Sequence, residues 1–420
     1  MATDDKRNAR RVVVKFGGSS LADSQKIAQA AKSVASEAKK GSEIAVVVSA
    51  MGGTTEQLIK VTEGALQGQD GYSKELDEIL SMGERTSARL FSTAVKSRGV
   101  KAKYFDPMRE DWPIITDESF GDAYPILELC SERILSHVKP LLEQGVVPII
   151  PGFVGRSQSG RTTTIGRGGS DTTAFILGRF LGADEIILVT DVDGIMSADP
   201  KIVANPQPLR EISARALAGL ADSGTKFIHK KALKFKPKDI DVRVINHRHG
   251  DLSASGTIIK GAFTSELDVS EGYSSPIIMA TIVGEEMSKH LEIIQNIRSL
   301  LRGSDVDLLG MSANHDSLIL YLPAIGGKGV IEGMHRIVVD DPYATAMAAR
   351  DDLALLRVNG IGLEDTPGLI GRISHPLNDN KVNIYGIFTI TSSINVVVDW
   401  GLRGRALGLI KKALEGGVTH

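Results

Sequence analysis

From Val12 onward the chain alternates short β-branched apolar runs with longer amphipathic stretches. The runs at 12–14, 44–49, 146–150, 185–190 and 241–246 are each a few residues long and bounded by Gly, Asp or Pro. Continuous apolar strands are buried on both faces, whereas half-exposed ones alternate. With helical stretches such as 24–40 between them, they predict an α/β domain over 1–262: a mostly parallel sheet sandwiched by helices.

The pattern changes at 261–275, where GAFTSELDVSEGYSS is polar and rich in Ser and Gly, and this predicts a linker over 263–275. Beyond it the chain repeats at one fixed offset. Val306 matches Val382, Leu308 matches Ile384, and Gly310 matches Gly386. Ser317 matches Ser393, Leu318 matches Ile394, and Leu320 matches Val396, while Ile294 and Ile297 match Ile370 and Ile373. Each copy reads helix, strand, tight turn, strand, with β-rich leads at 276–283 and 353–358. Two small modules are expected, 276–352 and 353–420. The chain ends soon after the helical 406–414, which leaves little room for a final strand in the second copy.

Composition narrows the partners. Lys and Arg total 49 against 51 Asp and Glu, a net charge of −2, so the basic excess needed to grip a phosphate backbone is missing and nucleic acid is not an expected partner. The one cysteine, Cys130, excludes an internal disulfide framework and any multi-Cys metal site, and its helical context PILELCSERIL marks it as a small buried residue. The polar start MATDDKRNARR lacks the apolar core of a signal peptide. No apolar run is long enough to span a bilayer, so a cytoplasmic protein with no membrane partner is expected.

Four segments carry candidate chemistry. Lys15-Phe16-Gly17-Gly18-Ser19-Ser20 ends a strand before a helix, where two glycines allow close backbone approach and a helix N-terminus favours an anion. TTTIGRGGSDTT at 162–173 sets Arg167, a rigid fork for carboxylate or phosphate, among three glycines ahead of a helix that Asp171 can cap. Thr190-Asp191-Val192-Asp193-Gly194 leaves the C-terminal end of a strand, where open α/β sheets bind ligands. Gly224-Thr225-Lys226 offers a further cation. On residue types alone, each of these equally suits an ordinary turn, a capped loop or a solvated lysine. Glu84, in SMGERTSARL, reads as an acidic residue in a turn opening a helix. The basic run Lys230, Lys231, Lys234, Lys236 and Lys238 reads as a solvated face, and His247 and His249 as loop residues without a metal partner.

Taken in order, VVKFGGSSL, VVSAMGGTTEQL, SMGERTSARL, GFVG, TTTIGRGGSDTTA, VTDVDGIMSADPK and SGTKFIH resemble the aspartate kinases of the amino-acid-kinase superfamily over nearly the whole chain. The resemblance implies an amino-acid-kinase (carbamate-kinase-like) α/β domain followed by two α+β, ferredoxin-like ACT modules. It implies ATP and Mg²⁺ as cofactors, with no protein ligand assigned to the metal, and L-aspartate as phosphoryl acceptor. Lys15, Asp191 and Lys226 would be catalytic. The nucleotide would meet Lys15, Phe16, Gly17, Gly18, Ser19, Thr190, Asp191, Met196, Ser197, Ala198, Asp199, Pro200, Lys201 and Lys226.

The aspartate pocket would be lined by Thr55, Glu84, Arg167, Gly168, Gly169, Ser170 and Asp171. Arg167 would take the α-carboxylate, and Glu84 with Asp171 the α-ammonium. An amino-acid effector, lysine or threonine, would sit against Asp365, Pro367, Gly368, Leu369, Asn383 and Ile384 of the second ACT copy, in a homodimer formed through these modules. The first copy reads VGEEMS at 283–288 where the second reads DTPG. The alternatives are a superfamily kinase acting on glutamate, acetylglutamate, carbamate or UMP, and a catalytically silent amino-acid sensor.

Overall fold

The computed structural model describes residues 9–69, 71–199, 202–221, 228–262, 268–360, 363, 367–390 and 393–415. The chain divides into two compact units, Met1–Thr264 and Ser265–His420. Among the described residues no helix is long and apolar enough to cross a membrane.

The first unit contains β1 (Arg11–Phe16), β2 (Glu43–Val48), β3 (Ala102–Tyr104), β4 (Ile115–Thr116), β5 (Val147–Pro151), β6 (Val154–Ser157), β7 (Thr162–Thr164), β8 (Glu185–Thr190), β9 (Glu211–Ser213), β10 (Asp241–Asn246) and β11 (Thr257–Lys260). Eight of them form one sheet in the order β3-β5-β2-β1-β8-β10-β11-β9, while β4, β6 and β7 form a small second sheet. In the large sheet every neighbouring pair is parallel except β10 with β11. The two-residue period explains its burial. Val12, Val14, Val46, Val48 and Ile187 fill the core on one face. Their chain neighbours Val13, Ala45, Val47, Ile186 and Leu188 fill the core on the other.

Helix Ser24–Lys39, opened by Asp23 accepting from the Lys26 N–H, packs over the first face with helix Ser73–Lys96. Helix Gly169–Leu181 covers the second. Cys130 is buried, and burial pushes its thiol up to about 12. The basic run departs from the solvated face expected of it. Lys236 is only 3% exposed and donates to the carbonyls of Pro237, Ile240 and Gly261, with burial pulling its pKa down to about 8.

The second unit holds β12 (Asp268–Glu271), β13 (Ile277–Gly284), β14 (Gly310–Ala313), β15 (Ser317–Pro323), β16 (Ala344–Asn359), β17 (Gly386–Ile390) and β18 (Ser393–Asp399) in one sheet. The sequence offset recurs in the elements: β14 and β17 start on Gly310 and Gly386, and β15 and β18 on Ser317 and Ser393. Helices Glu292–Gly303 and Leu369–Asp379 lie between the first and second strands of each copy, and Gly327–Asp340 and Arg403–Glu415 follow the third.

The 16 residues of β16 belong to both copies. Residues 344–353 pair with β13 and close the first copy, while 353–359 pair with β18 and open the second. Asp352, in the left-handed region at φ 55°, marks the handover. The second copy gains a further strand from β12, which pairs antiparallel with β16 from Asp268↔Asn359 to Glu271↔Leu356. Residues 268–271, within the expected linker, are therefore a structural strand.

Val269 of β12 is 3% exposed and sits in the second copy's core with Leu356, Val358 and Ile373. Removing about two buried carbon groups by Val269→Ala is expected to destabilise this unit by about 2 kcal/mol. Val283→Ala, at a residue 41% exposed, should change stability by under about 0.5 kcal/mol. Urea unfolding of both variants checks this, and an unperturbed Val269→Ala would mean that β12 is not docked.

Candidate active site

The site lies at the C-terminal ends of the central strands, where the chain leaves β1 and β8 toward opposite sides of the sheet. Backbone bonds tie these ends together: Gly17 N–H donates to Val189 O at 3.1 Å, Ser49 N–H to Phe16 O at 3.1 Å, and Gly152 N–H to Val48 O at 2.8 Å. Lys15, near the end of β1, reaches the first turn of helix Gly169–Leu181 and pairs with Asp171, Nζ to Oδ1 2.7 Å. Both side chains are largely buried, at 15% and 11% exposure. They border a cleft of about 160 Å³ that continues along Leu188, Thr190, Asp191 and Ile228.

Gly17 and Gly18 turn the chain into a short 3-10 helix, Gly18–Leu21. Ala50, after β2, is wedged between two glycines. A Cβ on Gly18 would lie 2.9 Å from Ala50 O, and one on Gly83 would lie 2.9 Å from Ala50 Cβ. Gly83 therefore does not open a helix; it lets the 49–54 segment lie against one. Glu84 stands well inside helix Ser73–Lys96 and is only 3% exposed, contrary to the exposed helix start expected from its sequence. Burial pushes its carboxyl up to about 7, opposed by the Ala50 N–H that donates to it, and Oε2 has no partner. Thr54 is the residue against Gly83; Thr55 follows it, half-buried.

Ser170 accepts from Ser49 Oγ at 3.0 Å, which joins the start of helix Gly169–Leu181 to the end of β2. Gly168 precedes that helix in the left-handed region at φ 78°, and Gly169 begins it. Arg167 is exposed, and among the described residues its guanidinium makes no hydrogen bond or ion pair. The exposed Asp191 accepts from Thr190 Oγ1 at 3.1 Å. Phe16 turns its ring into the core, 5.3 Å from that of Phe91, and gives the site only backbone. Ser19 is half-buried in the 3-10 turn. Met196 bridges to Pro208, Ser197 exchanges bonds with Gln207, the half-buried Ala198 follows, and Asp199 O accepts from Ile202 and Val203. Pro200, Lys201, Lys226 and Asp365 lie outside the described residues.

Sequence reasoning missed three positions. His247, expected to be a loop residue, sets Nδ1 3.0 Å from Thr190 O and 3.4 Å from Ser20 Oγ, itself bonded to Val189 O. Its neighbour Asn246 donates to Asp193 Oδ1 at 2.9 Å. Both fasten the segment after β8, and only their place at the end of a strand hinted at this. Lys231 leaves the basic run to pair with Asp122 and donate to Ile165 O at 2.7 Å, beside the Arg167 loop.

The amino acid kinase family pattern matches residues 10–246. An aspartokinase of Geobacillus stearothermophilus is 30% identical over 395 residues, which cover 92% of this chain and 93% of that protein. The chain belongs to the aspartokinases of the amino acid kinase family. An aspartokinase of Thermus thermophilus is 28% identical over 96% of this chain and 98% of its own length. The fold is shared with the aspartate kinase of Synechocystis, at TM-score 0.75 and 23% identity, covering 96% of this chain and 69% of that one. E. coli aspartokinase III with aspartate and ADP gives TM-score 0.53 at 23% identity, covering 96% and 100%.

The raised Glu84 pKa has a measurable consequence. Between about pH 4.5 and 7 the folded chain holds a proton here that the unfolded chain has lost, so this group's contribution to stability falls as pH rises and is gone above 7. Relative to Glu84→Gln, wild type should lose roughly 3 kcal/mol between about pH 5 and pH 8 in urea unfolding. An unchanging difference would mean that Glu84 titrates normally.

Proposed function

We propose that this chain is an aspartate kinase that transfers the γ-phosphoryl group of ATP to the β-carboxylate of L-aspartate, giving 4-phospho-L-aspartate and ADP. The observation that carries this reading is the Lys15–Asp171 pair on the cleft wall, with an unpartnered arginine and a buried, half-satisfied carboxylate on adjoining segments. In the reaction a β-carboxylate oxygen bonds to the γ-phosphorus while the bond to the β–γ bridging oxygen breaks. The acceptor is already ionised at neutral pH, so no proton moves and no general base is required. Catalysis then rests on alignment and charge neutralisation.

Lys15 stabilises the transferring phosphoryl group, held in place by Asp171; the glycine turn at 17–18 and the loop at 190–199 take the nucleotide. Pro200, Lys201 and Lys226 remain assigned to the nucleotide by sequence resemblance. Arg167 pairs with the α-carboxylate, and Glu84, through its free Oε2, accepts the α-ammonium with Asp171. No group of three His, Cys, Asp or Glu side chains that could hold a metal occurs among the described residues. A Mg²⁺ would be carried mainly by the nucleotide phosphates, with Asp191 on the cleft wall a candidate carboxylate. Such an ion would neutralise phosphate charge.

The lysine complex of E. coli aspartokinase III supports an amino-acid effector for this chain too, lysine or threonine, acting in a dimer formed through the C-terminal modules. The second copy is the better candidate: Gly368 opens helix Leu369–Asp379 from a left-handed conformation, with Pro367 before it and Asn383 and Ile384 after that helix. In the first copy the equivalent loop is closed on its neighbour, with Glu286 N–H donating to Asp316 and His290 stacked on Tyr343.

Trapping the acyl phosphate with hydroxylamine tests the substrate. Hydroxamate should form with ATP, Mg²⁺ and L-aspartate, and at background level with L-glutamate or N-acetylglutamate. Equal signal from glutamate would point to another kinase of the family, and binding without hydroxamate would point to a sensor.

A further inference from the structure

Asp77 is fully buried in the first turns of helix Ser73–Lys96, seven residues before Glu84 on the same buried face. Two helical turns separate them, roughly 10.5 Å along the axis. No lysine or arginine pairs with Asp77 among the described residues. Its carboxylate instead accepts three donors: Gly121 N–H at 3.0 Å, Thr164 N–H at 2.8 Å and Thr164 Oγ1 at 2.6 Å. A carboxylate taken out of water without a counter-ion is costly, and a neutral side chain would fill the space at less expense. What the charge provides is a firm hold on two distant segments at once.

Thr164 ends β7, and Arg167 follows three residues later. The residues between are pinned from the other side as well. Lys231 donates to Ile165 O at 2.7 Å and pairs with Asp122, whose Oδ1 leaves no room for a Cβ on Gly166. The loop is thus anchored on both flanks while Arg167 stays exposed and unpartnered. One rigid helix carries Glu84 directly and, through Asp77, holds the strand end that carries Arg167.

We infer that Asp77 is a positioning residue that fixes Arg167 relative to Glu84, and so sets the spacing at which the α-carboxylate and α-ammonium of L-aspartate are held. This rests on the assignment of those two groups to Arg167 and Glu84. Asp77 is fully buried and does not line the cleft, so its effect passes through Arg167.

A double-mutant cycle in the full-length chain tests it. Asp77→Asn places an amide donor opposite N–H groups; it should raise the aspartate KM about tenfold while kcat stays within threefold and the ATP KM within twofold. Arg167→Ala should raise the aspartate KM on its own. In the Arg167→Ala background Asp77→Asn should add less than twofold, because the residue it positions is gone. Thr164→Val, which removes only the hydroxyl donor, should reproduce the aspartate-specific shift at about threefold and serves if Asp77→Asn does not fold. Multiplying effects of Asp77→Asn and Arg167→Ala, or equal changes in both KM values, would overturn the positioning role and leave the Arg167 assignment standing. An unchanged aspartate KM in Arg167→Ala alone would remove that assignment and the inference with it.

Discussion

The ion pair between Lys15 and Asp171 is the junction on which the first unit's chemistry depends. It joins the end of the central strand to the first turn of the helix that covers one face of the sheet. Burying a lysine beside a phosphate-sized cleft would otherwise leave an isolated charge, and burying an aspartate at a helix start would leave another. Together they are held in one geometry, and the carboxylate also complements the helix dipole. The surrounding glycines follow from this junction. Ala50 must approach both the turn after β1 and the helix carrying Glu84, and any side chain at Gly18 or Gly83 would push the layers apart.

The second unit solves a different problem, that of two small modules too slight to stand apart. Sharing β16 between them makes one sheet of two four-stranded halves. Borrowing β12 for the second half makes the segment between the catalytic unit and the repeats a structural part of the repeats. The two copies are therefore continuous through one strand, hydrogen-bonded to β13 on one stretch and to β18 on the next.

Much of this was legible in the residues. Continuous apolar runs gave the parallel strands because both faces of that sheet are covered, and the repeat offset survived because Gly310 and Gly386, and Ser317 and Ser393, each begin a strand. Strand β12 was not legible: Asp-Val-Ser-Glu has one apolar residue, and a short edge strand needs no more. Glu84 was misread because Gly-Glu-Arg looks like a helix start. The helical spacing of Asp77, Leu80, Glu84, Ala88, Phe91 and Val95 carried the missing signal, since acids on an apolar face are buried acids. Lys231, Lys236 and His247 could not be placed from sequence, because their partners are backbone carbonyls brought near by the fold.

The most direct measurement is steady-state phosphoryl transfer by Lys15→Ala against wild type, with aspartate and ATP varied separately. If Lys15 acts on the transferring group, kcat should fall by about 10²–10³ while the aspartate KM stays within a few-fold. A kcat near wild type, or a loss confined to the aspartate KM, would contradict the placing of phosphoryl transfer at the Lys15–Asp171 junction.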